Sequence, residues 1–446
     1  MKSTVTQTFR QGWPAHWHML TLAAPMILAN ITTPLLGLVD TAVMGHMDSP
    51  AMLAGASIGA LILTQIYWVC GFLRMSATGL SAQARGHDKP QESAAKVFYQ
   101  SSAMALLLGA AVFTLQQPIL TAGLFLADPN TQVSQFISAY FSVRVWSAPA
   151  AMLNLALIGW LVGQQRTRAV MIIQIVGNLL NAGLDFFFVL GLDMSVEGVA
   201  LATVIAEYSM AIMALVVALR LCDGLRPQRE WFNAAARRIL LKLNGDMLIR
   251  NLALQLCLAF LTLQGARYGE TAAAVNAILM QFFVLIALGL DGIAYAVEAL
   301  VGEAAGQKQR KEVIRQTLRG LLWSSLFAIA YALSFWWFGR DIIGLLTNLP
   351  ALFDAAVPYL PLMIWLPLLG HWCFLFDGVF VGLTRSSAMR DTMIFSAAAV
   401  YFPLWWALKD VGNEALWYAL LGFLLARGMS LGGMLWWLNY RRVIAS

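Results

Sequence analysis

LTLAAPMILANITTPLLGLVDTAVMGH, residues 20–46, is apolar for long enough to cross a bilayer, yet it holds two prolines and closes around a carboxylate, Asp40. A hydrocarbon core of roughly 30 Å takes about 20 apolar residues of helix. Runs of that length recur from here to the C-terminus and leave no room for a soluble domain. Of 446 residues, 60% are hydrophobic and 12% charged, and the mean hydropathy is +0.70. A soluble globule of this size needs more polar surface, so the chain reads as an all-α integral membrane protein.

The preceding segment, MKSTVTQTFRQGWPAHWH, is polar and lacks a short apolar region ending in a cleavage site, so the first run is expected to be a retained helix. Trp13 and Trp17 suit the membrane interface before it. Cys70, Cys222, Cys257 and Cys373 are scattered without a C-x-x-C pair, which indicates neither a disulfide framework nor a zinc site.

Apolar runs between turn and charge clusters predict twelve helices, beginning near residues 19, 52, 95, 133, 168, 197, 239, 272, 316, 356, 391 and 415. With the N-terminus in the cytoplasm, the N-terminus, the even-numbered connections and the tail NYRRVIAS hold 22 of the 29 Lys and Arg residues. Only Arg267, Arg340 and Lys409 fall outside. This asymmetry puts both termini inside, and the formal charge of +6 is explained by basic loops meeting anionic headgroups, without a nucleic-acid partner.

The longest polar connection falls mid-chain and predicts a six-helix lobe at 1–222, a cytoplasmic linker at 223–238 and a second lobe at 239–446. Residues 21–86 lie over 241–306 without a gap, with identities at Gly45/Gly265, Ala54/Ala274, Ile58/Ile278 and Gly86/Gly306. Six helices per half is an even number, so the halves insert with the same orientation. Parallel repeats related by an axis along the membrane normal commonly flank a substrate cavity with alternating access.

An ionisable side chain at the centre of a span costs about 2.5 to 3.5 kcal/mol on insertion scales, so each one is a functional candidate. Asp40 near the outer end of helix 1, Asp185 in helix 5 and Thr203 in helix 6 are expected at a similar depth. Asn178, Asn181 and Asp185 are spaced i, i+3, i+7 and share a helix face. Two carboxylates, two amides and a hydroxyl can hold a proton or Na+; the alternative is that the acids only hydrogen-bond neighbouring helices. Pro25 and Pro34 lie below Asp40 and permit a kink, static or mobile.

In the second half, Arg250, Asp291 and Asp377 lie in the inner parts of their spans and Glu298 near the inner end of helix 8. Arg250 is expected to neutralise Asp291 or Asp377, as a structural pair or as part of a second site. Arg74, Arg144, Glu207 and Arg427 are also intramembrane. Arg144 is expected to balance an acid of the first half or to line the pathway, the structural role being favoured. His371 reads as a packing residue. Metalloprotease, nucleophile-elbow and nucleotide-binding motifs are all missing from the sequence, so active transport would draw on an ion gradient.

GLVDTAVMGH, VRVWSAPA, NLLNAGLDFFFVLG and GVALAT together resemble the multidrug and toxic compound extrusion (MATE) family over essentially the whole chain. LGLDGIAYAVEALVGEAAG and FDGVFVGLTRSSAMRDTM resemble one branch of it. The resemblance implies two six-helix bundles related by a pseudo-two-fold axis in a V, without a cofactor, exporting small organic, often cationic or amphipathic compounds in exchange for H+ or Na+. It implies that Asp40, Asn181, Asp185 and Thr203 form the cation site and that helix 1 bends at Pro25. Family members with sodium-coupling acids in helix 7 are not matched there: NGDMLIRNLALQL has Arg250 and only Asp246 near the inner end, which favours protons. The expected protein is a monomeric antiporter, not an enzyme, in the bacterial inner membrane. Rival readings are a flippase for a lipid-linked precursor, which would want a more basic cavity, a membrane-embedded transferase or hydrolase, and a passive channel.

Overall fold

The structure, a computed structural model, describes residues 2–444 and, from residue 12, their side chains. The first half comprises α1 (Lys2–Met44), α2 (Pro50–Val69), α3 (Phe72–Gly86), α4 (Pro90–Thr114), α5 (Gln116–Ala127), α6 (Thr131–Arg144), α7 (Ala148–Gly163), α8 (Thr167–Asp185) and α9 (Val196–Leu221). The second comprises α10 (Ala234–Arg267), α11 (Glu270–Gly306), α12 (Arg310–Leu346), α13 (Pro350–Ala356), α14 (Leu360–Gly382), α15 (Ser386–Phe395), α16 (Phe402–Leu408) and α17 (Glu414–Tyr440).

Among the described residues, eleven helical segments are long and apolar enough to cross a membrane. The twelfth expected span is α15 and α16 joined by a π turn, Ser396–Tyr401, and it carries Arg390 and Asp391 in its first turns. Several helices start earlier than their apolar runs. Pro90 and Pro350 sit in the first turn, where a missing N–H costs nothing, and Glu312 favours the positive end of α12. Ser49 and Asn130 cap α2 and α6 by accepting from the amides of Ala51 and Val133.

The chain forms two compact units, Leu28–Ile239 and Met1–Ile27 with Leu240–Ser446. The division falls inside α1, just past Pro25. In the second unit a core gathers around Trp417, Tyr401, Phe423 and Phe282. The first unit buries Trp160, whose indole donates to the Ala94 carbonyl at 2.9 Å. Large apolar side chains such as Leu107, Phe125 and Leu345 are exposed, a cost in water that lipid removes. All four cysteines are buried and free.

The repeat is visible in the packing. In the first unit α7 meets α3 through Gly159 against the Arg74 carbonyl and Gly163 against Thr78; a Cβ on Gly163 would sit 2.6 Å from the Thr78 carbonyl. In the second unit α14 meets α11 through Gly378 against Ala294 and Gly382 against Glu298, where added Cβ atoms would sit 2.8 and 2.7 Å from the carbonyls. The offset is about 220 residues, as for a parallel repeat. Left-handed residues recur as well, Gln165 with Thr384 and Asp223 with Arg442. Each unit also holds a π turn, Phe186–Gly191 in the first and Ser396–Tyr401 in the second, although these do not keep that offset.

Candidate cation-coupling site

Asp40 lies in the last turns of α1, while Asp185 is the last residue of α8, where the helix widens into the π turn Phe186–Gly191. Such turns occur often at functional sites because the extra residue re-aims the side chains around it. Asp185 is 0% exposed and Asn181, one turn earlier, is 4% exposed. Asn181 donates through Nδ2 to the Thr203 hydroxyl on α9 at 3.5 Å, and that hydroxyl donates to the Val199 carbonyl at 3.1 Å. Asn178 turns instead to Thr32 of α1, donating to its hydroxyl at 2.9 Å. The sequence spacing held these groups on one face; Asn178 uses its position to tie α8 to α1.

The carboxyls of Asp40 and Asp185 come within hydrogen-bonding reach of one another. Among the described residues Asp40 Oδ1, Asn181 Oδ1 and both oxygens of Asp185 are buried without a hydrogen-bond donor. A buried acceptor left unsatisfied costs roughly 1–3 kcal/mol, and more for a charged one. Four acceptor oxygens at one place are chemically suited to a cation. Pro25, expected to act with Asp40, is buried in the other unit's share of α1. The helix runs on through both prolines, although neither Pro25 nor Pro34 has an N–H to bond the carbonyl four residues earlier.

Arg144 pairs with Glu207 through both guanidinium ends, at 3.1 and 3.0 Å, and also meets the Ser147 hydroxyl. Its charge reaches Asp40. Glu207 lies one turn beyond Thr203 on α9, a spacing visible in the sequence that would have tied the pair to the site.

In the second unit Arg250 pairs with Asp377 at 2.6 Å. Arg427 binds the same Asp377 oxygen and lies within electrostatic reach of Asp291. Arg250 also donates to Asn251 at 2.7 Å. Glu298 is buried against α14. Asp246 is held by Arg390 at 2.5 Å and by the Ser386 hydroxyl at 2.9 Å. His371 meets Ser324 through Nδ1 at 3.1 Å, inside the packing. Asp377 and Asp246 are thus tied to cations or a hydroxyl, unlike Asp40 and Asp185.

The MatE family profile matches residues 25–187 and 247–406. The chain is 42% identical over 423 residues to DNA damage-inducible protein F of Escherichia coli strain K12, covering 94% of this chain and 91% of that one. It is 25% identical over 444 residues to the probable multidrug resistance protein NorM of Pseudomonas aeruginosa, covering 93% and 87%. Its fold matches a solved structure of a multidrug resistance MATE family transporter in an outward-facing conformation, with a TM-score of 0.81, 18% identity and 96% of each chain covered. The chain is therefore a member of the MATE family of efflux transporters, a multi-pass membrane protein and not an enzyme.

Proposed function

We propose that this transporter exports organic, often cationic or amphipathic compounds in exchange for H+ bound at Asp40 and Asp185. The observation that carries the reading is the pair of carboxyls within reach of one another, their buried oxygens lacking donors. A proton taken up there supplies the missing donor: one carboxyl becomes an O–H that hydrogen-bonds the other, and the repulsion of two charges in low dielectric is removed. Asn181 and Thr203 orient the pair from α8 and α9.

Protonation lowers the charge at the end of α1, whose share above Ile27 belongs to the first unit. In this reading α1 then bends near Pro25, the hold on the exported compound weakens, and the proton leaves on the opposite side after the return. Ion and compound must favour different states for such exchange to work. Both termini face the cytoplasm of a bacterial inner membrane, as the basic connections require. Na+ is the second reading, supported by the all-oxygen character of the four acceptors.

The test is reconstitution into proteoliposomes with pH and Na+ gradients imposed separately. Accumulation of an organic cation driven by the pH gradient alone supports proton exchange; accumulation that follows only the Na+ gradient replaces it with sodium, and equilibration without accumulation contradicts both.

A further inference from the structure

α6 ends at Arg144, and the chain passes through the 3-10 turn Val145–Ser147 into α7. That break leaves a guanidinium inside the first unit, 7% exposed. Both of its terminal nitrogens rest on Glu207. The Ser147 hydroxyl bonds it from the side, and its carbon lies 5.5 Å from the centre of the Tyr67 ring. Asn154, also buried, donates to the Glu207 carbonyl at 3.0 Å and keeps its Oδ1 without a partner among the described residues. A carboxylate, an aromatic face, a hydroxyl and a spare amide oxygen are the groups that receive an organic ammonium or guanidinium. Here the occupant is the chain's own arginine.

We propose that Glu207, Tyr67, Ser147 and Asn154 form a docking site for an organic cation, and that Arg144 is a tethered competitor that fills it. For its link to the ion, the proposal rests on Asp40 and Asp185 being the coupling groups. The charge of Arg144 reaches Asp40, and Tyr140, buried in the same region, lies within reach of both. The titratable groups facing Arg144 are Tyr67 from α2, Tyr140 on α6 itself, Glu207 with Tyr208 beside it from α9, and Asp40 from α1, with Asp185 of α8 behind it. When Asp40 and Asp185 are ionised, Arg144 is drawn toward Asp40 and Glu207 opens to the exported cation. When the pair holds a proton, Arg144 returns to Glu207 and expels it. Thr203 and Glu207 share a face of α9 one turn apart, so the two sites are joined through one helix.

Equilibrium binding of ethidium, a fluorescent organic cation, and of Nile red, a neutral dye, to the purified full-length protein tests this without any gradient. Arg144→Gln removes the competitor and is expected to tighten ethidium about tenfold, abolish its pH dependence and leave Nile red unchanged. The double variant Arg144→Gln/Glu207→Gln removes both members of the buried pair together, leaving neither uncompensated, and so remains a valid test where the single variant does not fold. It is expected to bind ethidium at least about tenfold more weakly than the native protein. Unchanged ethidium binding in either variant, or an equal gain for Nile red, overturns the docking site and makes the pair structural. Tighter ethidium binding that keeps its pH dependence upholds the docking site and overturns the link to Asp40. Gradient-driven transport by the native protein tests the coupling reading separately.

Discussion

Asp185, wholly buried at the end of α8, holds its carboxyl within hydrogen-bonding reach of Asp40 on α1, and neither of its oxygens has a donor among the described residues. Most other buried charges in the two units have found a partner: Arg144 has Glu207, Arg250 and Arg427 share Asp377, and Asp246 has Arg390. The Asp40–Asp185 pair stands apart as two acceptors set against each other, which is what the proposed cation site rests on.

Asn181 contributes one of the open oxygens and orients Thr203. Asn181→Ala is expected to leave a folded, inserted transporter whose ion affinity falls by about tenfold, equivalent to about 1.4 kcal/mol. Transport measured against increasing driving-ion concentration checks this. An unchanged half-saturating concentration places Asn181 outside the site.

Asp377 anchors two buried arginines. Asp377→Asn removes the carboxylate that both arginines share, and breaking a buried pair in this way costs about 3–5 kcal/mol. The melting temperature of the purified protein is expected to drop markedly. If stability is kept and transport is lost, the cluster belongs to the transport pathway and is not a structural brace.

The two close helix approaches make a paired prediction. Gly163→Ala and Gly382→Ala each drive a methyl against backbone carbonyl, at 2.6 and 2.7 Å, and should each destabilise by about 1–3 kcal/mol. Gly37 has nothing within 4 Å of an added Cβ, so Gly37→Ala is the neutral control in the same thermal-unfolding series. Equal stability in all three would remove the packing basis of the repeat.

Orientation is open to thiol labelling, since the four native cysteines are buried. Gln228→Cys, in the connection between α9 and α10, is expected to react with an impermeant maleimide only when the cytoplasmic face is exposed. Asp128→Cys, between α5 and α6, should react in intact cells. The reverse pattern inverts the topology.

Much of this architecture was legible in the sequence because its signals are one-dimensional. Apolar run length marks a span, and the i, i+3, i+7 spacing of Asn178, Asn181 and Asp185 marks a helix face whatever surrounds it. Partner choice is a matter of three-dimensional packing: Arg250 had two acids at suitable depth, and spacing along the chain could not show that its guanidinium reaches Asp377 across 127 residues. The convergence of Arg427 on the same carboxylate follows from α17 packing beside α14 and had no local signal. The π turn after Asp185 falls in FFFVLG, where no proline marks it. The division of α1 just past Pro25 was hidden too, since an unbroken apolar helix gives no sign that its two ends belong to different units.

The most direct measurement is gradient-driven accumulation of an organic cation by proteoliposomes carrying Asp40→Asn, compared with native protein at equal reconstitution. Asparagine keeps the size and removes the titration. The account predicts that accumulation in response to an imposed ion gradient is abolished while the variant remains folded and inserted. Accumulation at the native level would contradict the assignment of ion coupling to Asp40.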